Sequence, residues 1–437
     1  MSPSALPGTS EPERHHFDMF KSCIVTRFCG LFDGDLWDAI VLQAVTLEPM
    51  VLHAAVAFAS TNTSQNTDNS KENVFRLSQY GRAVKLLQKS IGHEGSVVDA
   101  RTVLMTCLLL ASAELMSSRF DQAWIHLNGG LALLANRKRL TCKPETGIEN
   151  FLQNAFRRLE LSTSVSRWSS GPPPDWDPCI TTTFSSIPAA RTEFEYCLRD
   201  VVSFNKKVSL RASLEDVPER ILSAPDLLFR FRELEHRNKT WLSQFEEVLR
   251  KPSISEKEVR SATLLRLQHK ILNVMLSSIM LNSTGRGCVF DDYLADFIAA
   301  VDLAVQIAPS FTPDLASSTA ASFSLDVGII PPLYYTVLKC RDPTLRRRAT
   351  DLLSTLQHHE GAWYGPETAK IARKVVKLEE STAVKITGRP VMEAADVPEE
   401  ARLYEAFFNI AISDCVVNCK RRDFDTGAWL VYQVVVA

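Results

Sequence analysis

The stretch FSLDVGIIPPLYYTVLKCRDPTLRRRATDLLSTLQHHEGAWYGPETAKIARKVVKLEE, Phe323 to Glu380, decides the fold. Its apolar spacing predicts three helices joined by two sharp turns. Asp342-Pro343 is a helix start, a carboxylate cap followed by proline at the first helical position, where a missing N–H costs nothing. Leu345, Ala349, Leu352, Leu353 and Leu356 then form one stripe at helical spacing, with Arg346, Arg347 and Arg348 off it. Gly365-Pro366-Glu367 opens the next helix, with Ile371, Val375 and Leu378 on its inner face. Gly328 to Pro332 is a turn that feeds Leu333, Tyr334, Val337 and Leu338.

The same period extends outward in both directions. Phe17, Phe20, Ile24 and Phe28 make a stripe that ends at Gly30 and Asp33-Gly34-Asp35. Pro49 opens a helix rich in small residues, and another is expected from about Lys71 to Ile91. Ser96 and Asp99 offer starts for a helix through Met116. Residues 97–136 read as a helical hairpin connected at Ser117-Ser118, its second arm carrying Phe120, Ala123, Trp124, Leu127, Leu131 and Leu134. Further helices are expected at 226–250, 255–281 and 290–308, and a last one from about Pro398 to Cys419. Residues 61–70, 309–322 and 381–397 read as linkers or loops. The tail WLVYQVVV is β-branched and aromatic and reads as an extended edge.

No βαβ alternation and no fixed-period repeat is apparent. The expected fold class is therefore all-α, a large helical-hairpin bundle or solenoid-like domain of roughly fifteen helices. Its expected divisions are a disordered N-terminus (1–14), an N-terminal helical half (15–166), and a Pro-rich loop or boundary (167–190) pinned by Trp168 and Trp176. A C-terminal helical half (191–422) and a tail (423–437) follow.

The chain has 437 residues, 45% of them hydrophobic, and a net charge of −2. A sizeable core is within reach, and no global charge draws the chain onto nucleic acid. Residues 1–14 lack the apolar core of a signal peptide, so the ten cysteines are expected to be reduced. The most apolar run, Val103 to Met116, is shorter than the about 20 residues of a membrane span.

The chemistry-bearing motifs are few. Cys23/Cys29 and Cys415/Cys419 have no second pair nearby, so burial rather than zinc is expected. His358-His359 point about 100° apart if helical and read as a solvated helix end. Gly285-Arg286-Gly287 reads as a turn, Asp291-Asp292 as a helix cap, and Glu379-Glu380 as part of a polar helix end. Neither a nucleophile elbow nor a phosphate loop occurs. Arg137-Lys138-Arg139, Arg346-Arg347-Arg348 and Lys420-Arg421-Arg422 are three basic runs. Each reads first as a solvated helix face, with nuclear import or a phosphate contact as the functional alternative. No catalytic, cofactor-binding or metal-binding residue is expected, and no cofactor.

Several blocks resemble the regulatory region of fungal-specific transcription factors of the binuclear zinc-cluster class. They are Gly328 to Tyr334, Lys339 to Pro343, Arg346-Arg347, and Glu360, Gly361 and Trp363. PMVLHAAVAFAS, QYGRAVKLL and the hairpin region agree in order, so that the resemblance spans roughly residues 15–420. It implies a nuclear, pathway-specific transcriptional regulator of secondary metabolism or nutrient use, not an enzyme. Protein partners such as coactivators or a DNA-binding regulator, a homodimer and a small-molecule effector are implied with it. The six-cysteine DNA-reading module of that class has no counterpart in these residues, so direct DNA binding is not expected of them, nor is a membrane. The alternatives are a helical interaction scaffold unrelated to transcription and an enzyme with a cavity between helices.

Overall fold

The computed structural model describes residues 9–24, 28, 30–32, 35–64, 70–92, 99–140, 147–166, 183–214, 218–250, 254–311, 322–409 and 416–435. These residues form fourteen α-helices and only short strands, so the chain is predominantly all-α. Two compact units divide it. The first comprises residues 1–163, 313–327 and 358–362, and the second residues 164–312, 328–357 and 363–437.

The first unit contains α1 (Glu11–Met19), α2 (Asp35–Leu47), α3 (Pro49–Ser64), α4 (Ser70–Gly92), α5 (Ala100–Met116), α6 (Phe120–Leu140) and most of α7 (Gly147–Ser166). Helix α5 is its centre, every residue from Thr102 to Met116 being buried. Asp99 caps it by accepting from the Arg101 amide. Helix α6 folds back on α5 as the second arm of the expected hairpin, and α3 packs on α5 from another side. At the hairpin turn Ser118 takes φ 55°, a left-handed conformation.

Residues 11–14 are not disordered, contrary to the composition. Ser10 and Glu13 form a reciprocal capping box that starts α1. Glu13 is buried and accepts from Gln79 at 2.8 Å and Arg82 at 3.0 Å, which is why a polar segment orders here.

The doublet His358-His359 is likewise no helix end. It lies in β2 (His358–Glu360), paired in parallel with β1 (Ser322–Ser324) in the first unit. Phe323 at its centre packs on Phe28 and Phe58, with ring centroids 5.7 and 5.4 Å away. His358 Nε2 lies 2.8 Å from Glu360 Oε1. Burial pulls the His359 pKa down to about 3, so this ring is neutral. The segment leaves the helix because the β1 backbone supplies its hydrogen bonds. Gly361 extends the exchange, its N–H donating to the Ser324 carbonyl at 2.8 Å with φ 56°.

The second unit contains α8 (Ile187–Leu214), α9 (Pro225–Leu249), α10 (Glu256–Asn282), α11 (Leu294–Ile307), α12 (Ile330–Lys339), α13 (Pro343–Thr355) and α14 (Gly365–Thr387). Helix α10 packs on α8 and α11, and α13 packs on α12 and α14. Asp342 caps α13 as expected, accepting from the Leu345 amide at 2.7 Å. Helix α14 runs past the expected loop boundary and stops at Gly388, φ 69°.

Gly365 starts α14 so close to the end of α13 that a Cβ there would meet the Leu356 carbonyl oxygen at 2.2 Å. Backbone cannot yield as a side-chain tip does. Gly365→Ala is therefore expected to cost about 1–3 kcal/mol, read as a lowered urea midpoint with an unchanged slope.

The last helix expected from Pro398 to Cys419 is absent. Two 3-10 turns, Ala394–Asp396 and Glu399–Ala401, lead instead into an antiparallel sheet. Its strands are β4 (Glu405–Asn409), β5 (Val416–Arg422) and β6 (Trp429–Val435), the two-residue β3 (Trp363–Tyr364) lying earlier in the chain. Strand β6 is an edge strand, as the tail's composition implies. Asp423 accepts from the Asp425 and Thr426 amides and closes the β5–β6 turn, which gives Val416 and Val417 a strand partner that sequence periodicity did not reveal. Trp168, Trp176, Cys29 and Cys415 lie outside the described residues.

Candidate functional site

Helices α12 to α14 enclose a cluster of fully buried charged side chains. Glu379, on the inner face of α14, is fully buried. Its Oε1 accepts from Arg341 Nη2 at 3.0 Å and from the Leu403 amide at 2.6 Å. Its Oε2 accepts from Arg346 Nη2 at 2.5 Å. Burial would raise the Glu379 pKa, but Arg341, Arg346 and the Leu403 amide together hold it below the ordinary glutamate range.

Both arginines are also fully buried, and the backbone serves them. Arg341 donates to the carbonyls of Lys339 at 2.6 Å and Leu403 at 3.1 Å. Arg346 Nε donates to the Val337 carbonyl at 2.9 Å. Beside them Lys339 Nζ donates to the Tyr404 carbonyl at 2.6 Å and sits 4.9 Å from the Phe290 ring centroid. Burial, and then Arg341, pull the Lys339 pKa down to about 7.

The cluster therefore sets two guanidinium groups against one carboxylate. Arg346 Nη1 is buried and finds no hydrogen-bond partner among the described residues. Arg346 also lines a groove of about 820 Å³ between α13, α14 and residues 390–391. Arg347, Arg373, Lys377 and Lys385 add four more cations to its walls, against the carboxylates of Asp351 and Glu380. Glu380 pairs with Arg347 through Oε2 at 3.0 Å, its Oε1 being buried without a hydrogen-bond partner among the described residues, and Asp351 lies 3.7 Å from Arg373. Val376, Val384, Pro390 and Val391 supply the apolar part of the lining.

Two sequence expectations fail here. Arg346 is no solvated helix face, and Glu379 is no polar helix end; each buries the other's charge. Arg347 and Arg348 do face outward, the latter pairing with Asp302 at 2.7 Å. Lys420-Arg421-Arg422 lies on β5 rather than on a helix, with Lys420 Nζ 4.3 Å from the Trp429 ring centroid. The side chains of Arg137, Lys138 and Arg139 lie outside the described residues.

Asp291-Asp292 does not cap a helix either. Asp291 takes the Arg402 guanidinium with both oxygens, at 2.9 and 2.7 Å. That bond ties the turn before α11 to the approach to β4. Gly285-Arg286-Gly287 is a turn, with φ 87° at Gly285.

Among the described residues no group of three or more His, Cys, Asp or Glu side chains could hold a metal ion. Cys107, Cys197, Cys340 and Cys419 are buried free thiols, and burial raises the pKa of each. Among the same residues no single helix is long and apolar enough to cross a membrane.

Residues 15–174 match the family described as the fungal specific transcription factor domain. It is also similar, at 32% identity over 97 residues, to the aspercryptin biosynthesis cluster-specific transcription regulator of Emericella nidulans. That alignment covers 22% of this chain and 16% of the relative. No solved structure matches the chain.

Proposed function

We propose that the chain is a pathway-specific fungal transcriptional regulator, acting through its helical regulatory body. The observation that carries this reading is the transcription-factor domain over residues 15–174. The similar Emericella nidulans protein, named as a regulator specific to one biosynthetic cluster, adds secondary metabolism as the kind of pathway. The reading places the chain in the nucleus, in contact with coactivators or a DNA-binding regulator, as a homodimer or alone, and without catalytic residues. A small-molecule effector is part of it.

The full chain fused to a heterologous DNA-binding module and brought to a reporter promoter is the test. A change in reporter transcript of about tenfold or more is expected, with the tagged chain concentrated in the nucleus. An unaltered reporter, together with unaltered transcripts after deletion of the gene, would refute the reading.

A further inference from the structure

We infer that the outer edge of β6 pairs antiparallel with β6 of a second copy of the chain, joining two three-stranded sheets into one of six strands. The regulator reading names a homodimer as one form of the protein; this inference assigns its surface and stands without that reading.

The backbone comes first. Strand β6 ends its sheet, and among the described residues no strand covers its outer side. The Asp423 N–H donates to the Ala428 carbonyl at 2.9 Å, and the Lys420 carbonyl accepts from the Tyr404 amide, on the β4 side, at 2.8 Å. Backbone groups alternate in direction along a strand. Leu430, Tyr432 and Val434 therefore turn theirs to β5, while Trp429, Val431, Gln433 and Val435 turn theirs outward. A row of outward N–H and C=O groups is a template for another strand.

Charge decides which strand. Trp429 to Val435 contains no charged residue and no proline. Across a two-fold axis like meets like, so a strand pairs with its own copy without repulsion only if it is uncharged. The cations behind it, Lys420, Arg421 and Arg422 on β5, stand three strand spacings from their counterparts in the six-stranded sheet. That is about 14 Å, beyond the screening length of about 8 Å at physiological salt. Val431 and Val435, 64% and 54% exposed, are partly covered by the partner strand.

The register follows from the outward positions. One antiparallel alignment uses all of them on both copies. It sets Val431 opposite the partner's Gln433, Trp429 opposite the partner's Val435, and Tyr432 on the axis facing its own copy. The strand spans about 24 Å and a sheet edge is about 10 Å thick. The contact is therefore smaller than the about 1,200 Å² that begins the range of stable interfaces. The dimer is weak and reversible, with an expected Kd of about 1–100 µM.

The test is sedimentation equilibrium of the purified full chain up to about 300 µM, well above that Kd. A reversible monomer–dimer equilibrium is expected. Val431→Glu and Gln433→Lys each change one exposed side chain, so the sheet should hold. Either alone sets two like charges beside the axis and is expected to weaken the dimer about fivefold or more. Both in one chain place glutamate opposite lysine twice, and dimerisation should return to within about twofold of the wild type. The two single variants mixed should pair with each other more tightly than either does with itself. Amide exchange gives the edge directly. Val431 and Gln433 should slow as protein concentration rises, whereas Leu430, Tyr432 and Val434, already bonded to β5, should not.

A chain that stays monomeric at the highest concentration leaves the edge to a strand of another protein and overturns the inference. A dimer indifferent to both single variants, or a double variant as weak as the singles, overturns it too. A monomeric chain that still drives the reporter removes the pairing and leaves the regulator reading. A dimer with a silent reporter does the reverse.

Discussion

Glu379→Ala is expected to destabilise the second unit by about 3–5 kcal/mol, because it strands two buried guanidinium groups without their common carboxylate. It also removes the acceptor of the Leu403 amide. The loss should appear as faster hydrogen exchange along α14 and as a lowered urea midpoint. Replacing all three side chains together, Arg341→Met, Glu379→Leu and Arg346→Leu, should restore much of the loss, since no charge then remains buried. A single Glu379→Ala variant as stable as the wild type would show that water reaches the cluster freely.

The same carboxylate gives stability a pH dependence whose sign follows from its shift. The folded pKa lies below the ordinary glutamate value of 4.5. The contribution is therefore fully present above 4.5 and is lost as pH falls from there through the folded value. In Glu379→Gln that part of the acid limb should flatten. A Glu379→Gln variant with an unchanged acid limb would assign the dependence to other carboxylates.

Leu109→Ala is the counterpart in the first unit. Leu109 is fully buried in the middle of α5, with buried neighbours on both sides along the helix. Removing its terminal isopropyl group leaves a cavity that α3 and α6 can fill only in part, and the expected cost is about 2–5 kcal/mol. Ile125, on α6 and 69% exposed, is the control; Ile125→Ala should stay within about 0.5 kcal/mol. Exchange protection in the peptides of α5 and α6 separates the two outcomes. Equal protection in both variants would mean that α5 is not the centre of its unit.

Much of the helical architecture was legible in the residues. Asp342-Pro343 starts a helix by a side-chain cap and Gly365-Pro366 by the fixed φ of proline, both of them local chemistry. The α5–α6 hairpin was legible because four turns of 3.6-residue spacing have few other solutions. One signal was present and unread. Ser10 to Glu13 is a Ser-x-x-Glu capping box, outweighed by the polar composition around it.

The candidate site was not legible. Arg346 follows Leu345 directly on α13, and in the chain it looks like Arg347 and Arg348. Only Glu379, 33 residues later, makes it the buried member of the run. A lone arginine costs too much to bury, and its partner is set by the packing of α13 on α14.

His358-Glu360 shows the same limit. Three residues are too few for any period to declare a strand, and their hydrogen bonds come from Ser322–Ser324. The strands after Ala401 depend on one another in that way too. The sequence by itself determined what is local and repeated: where helices start, which faces are apolar, and that the chain is mostly helical. Tertiary structure decided what needs a distant partner, namely which charges could be buried and which short segments could pair. Each of those states is stable only once another part of the chain supplies the opposite charge or the missing hydrogen bonds.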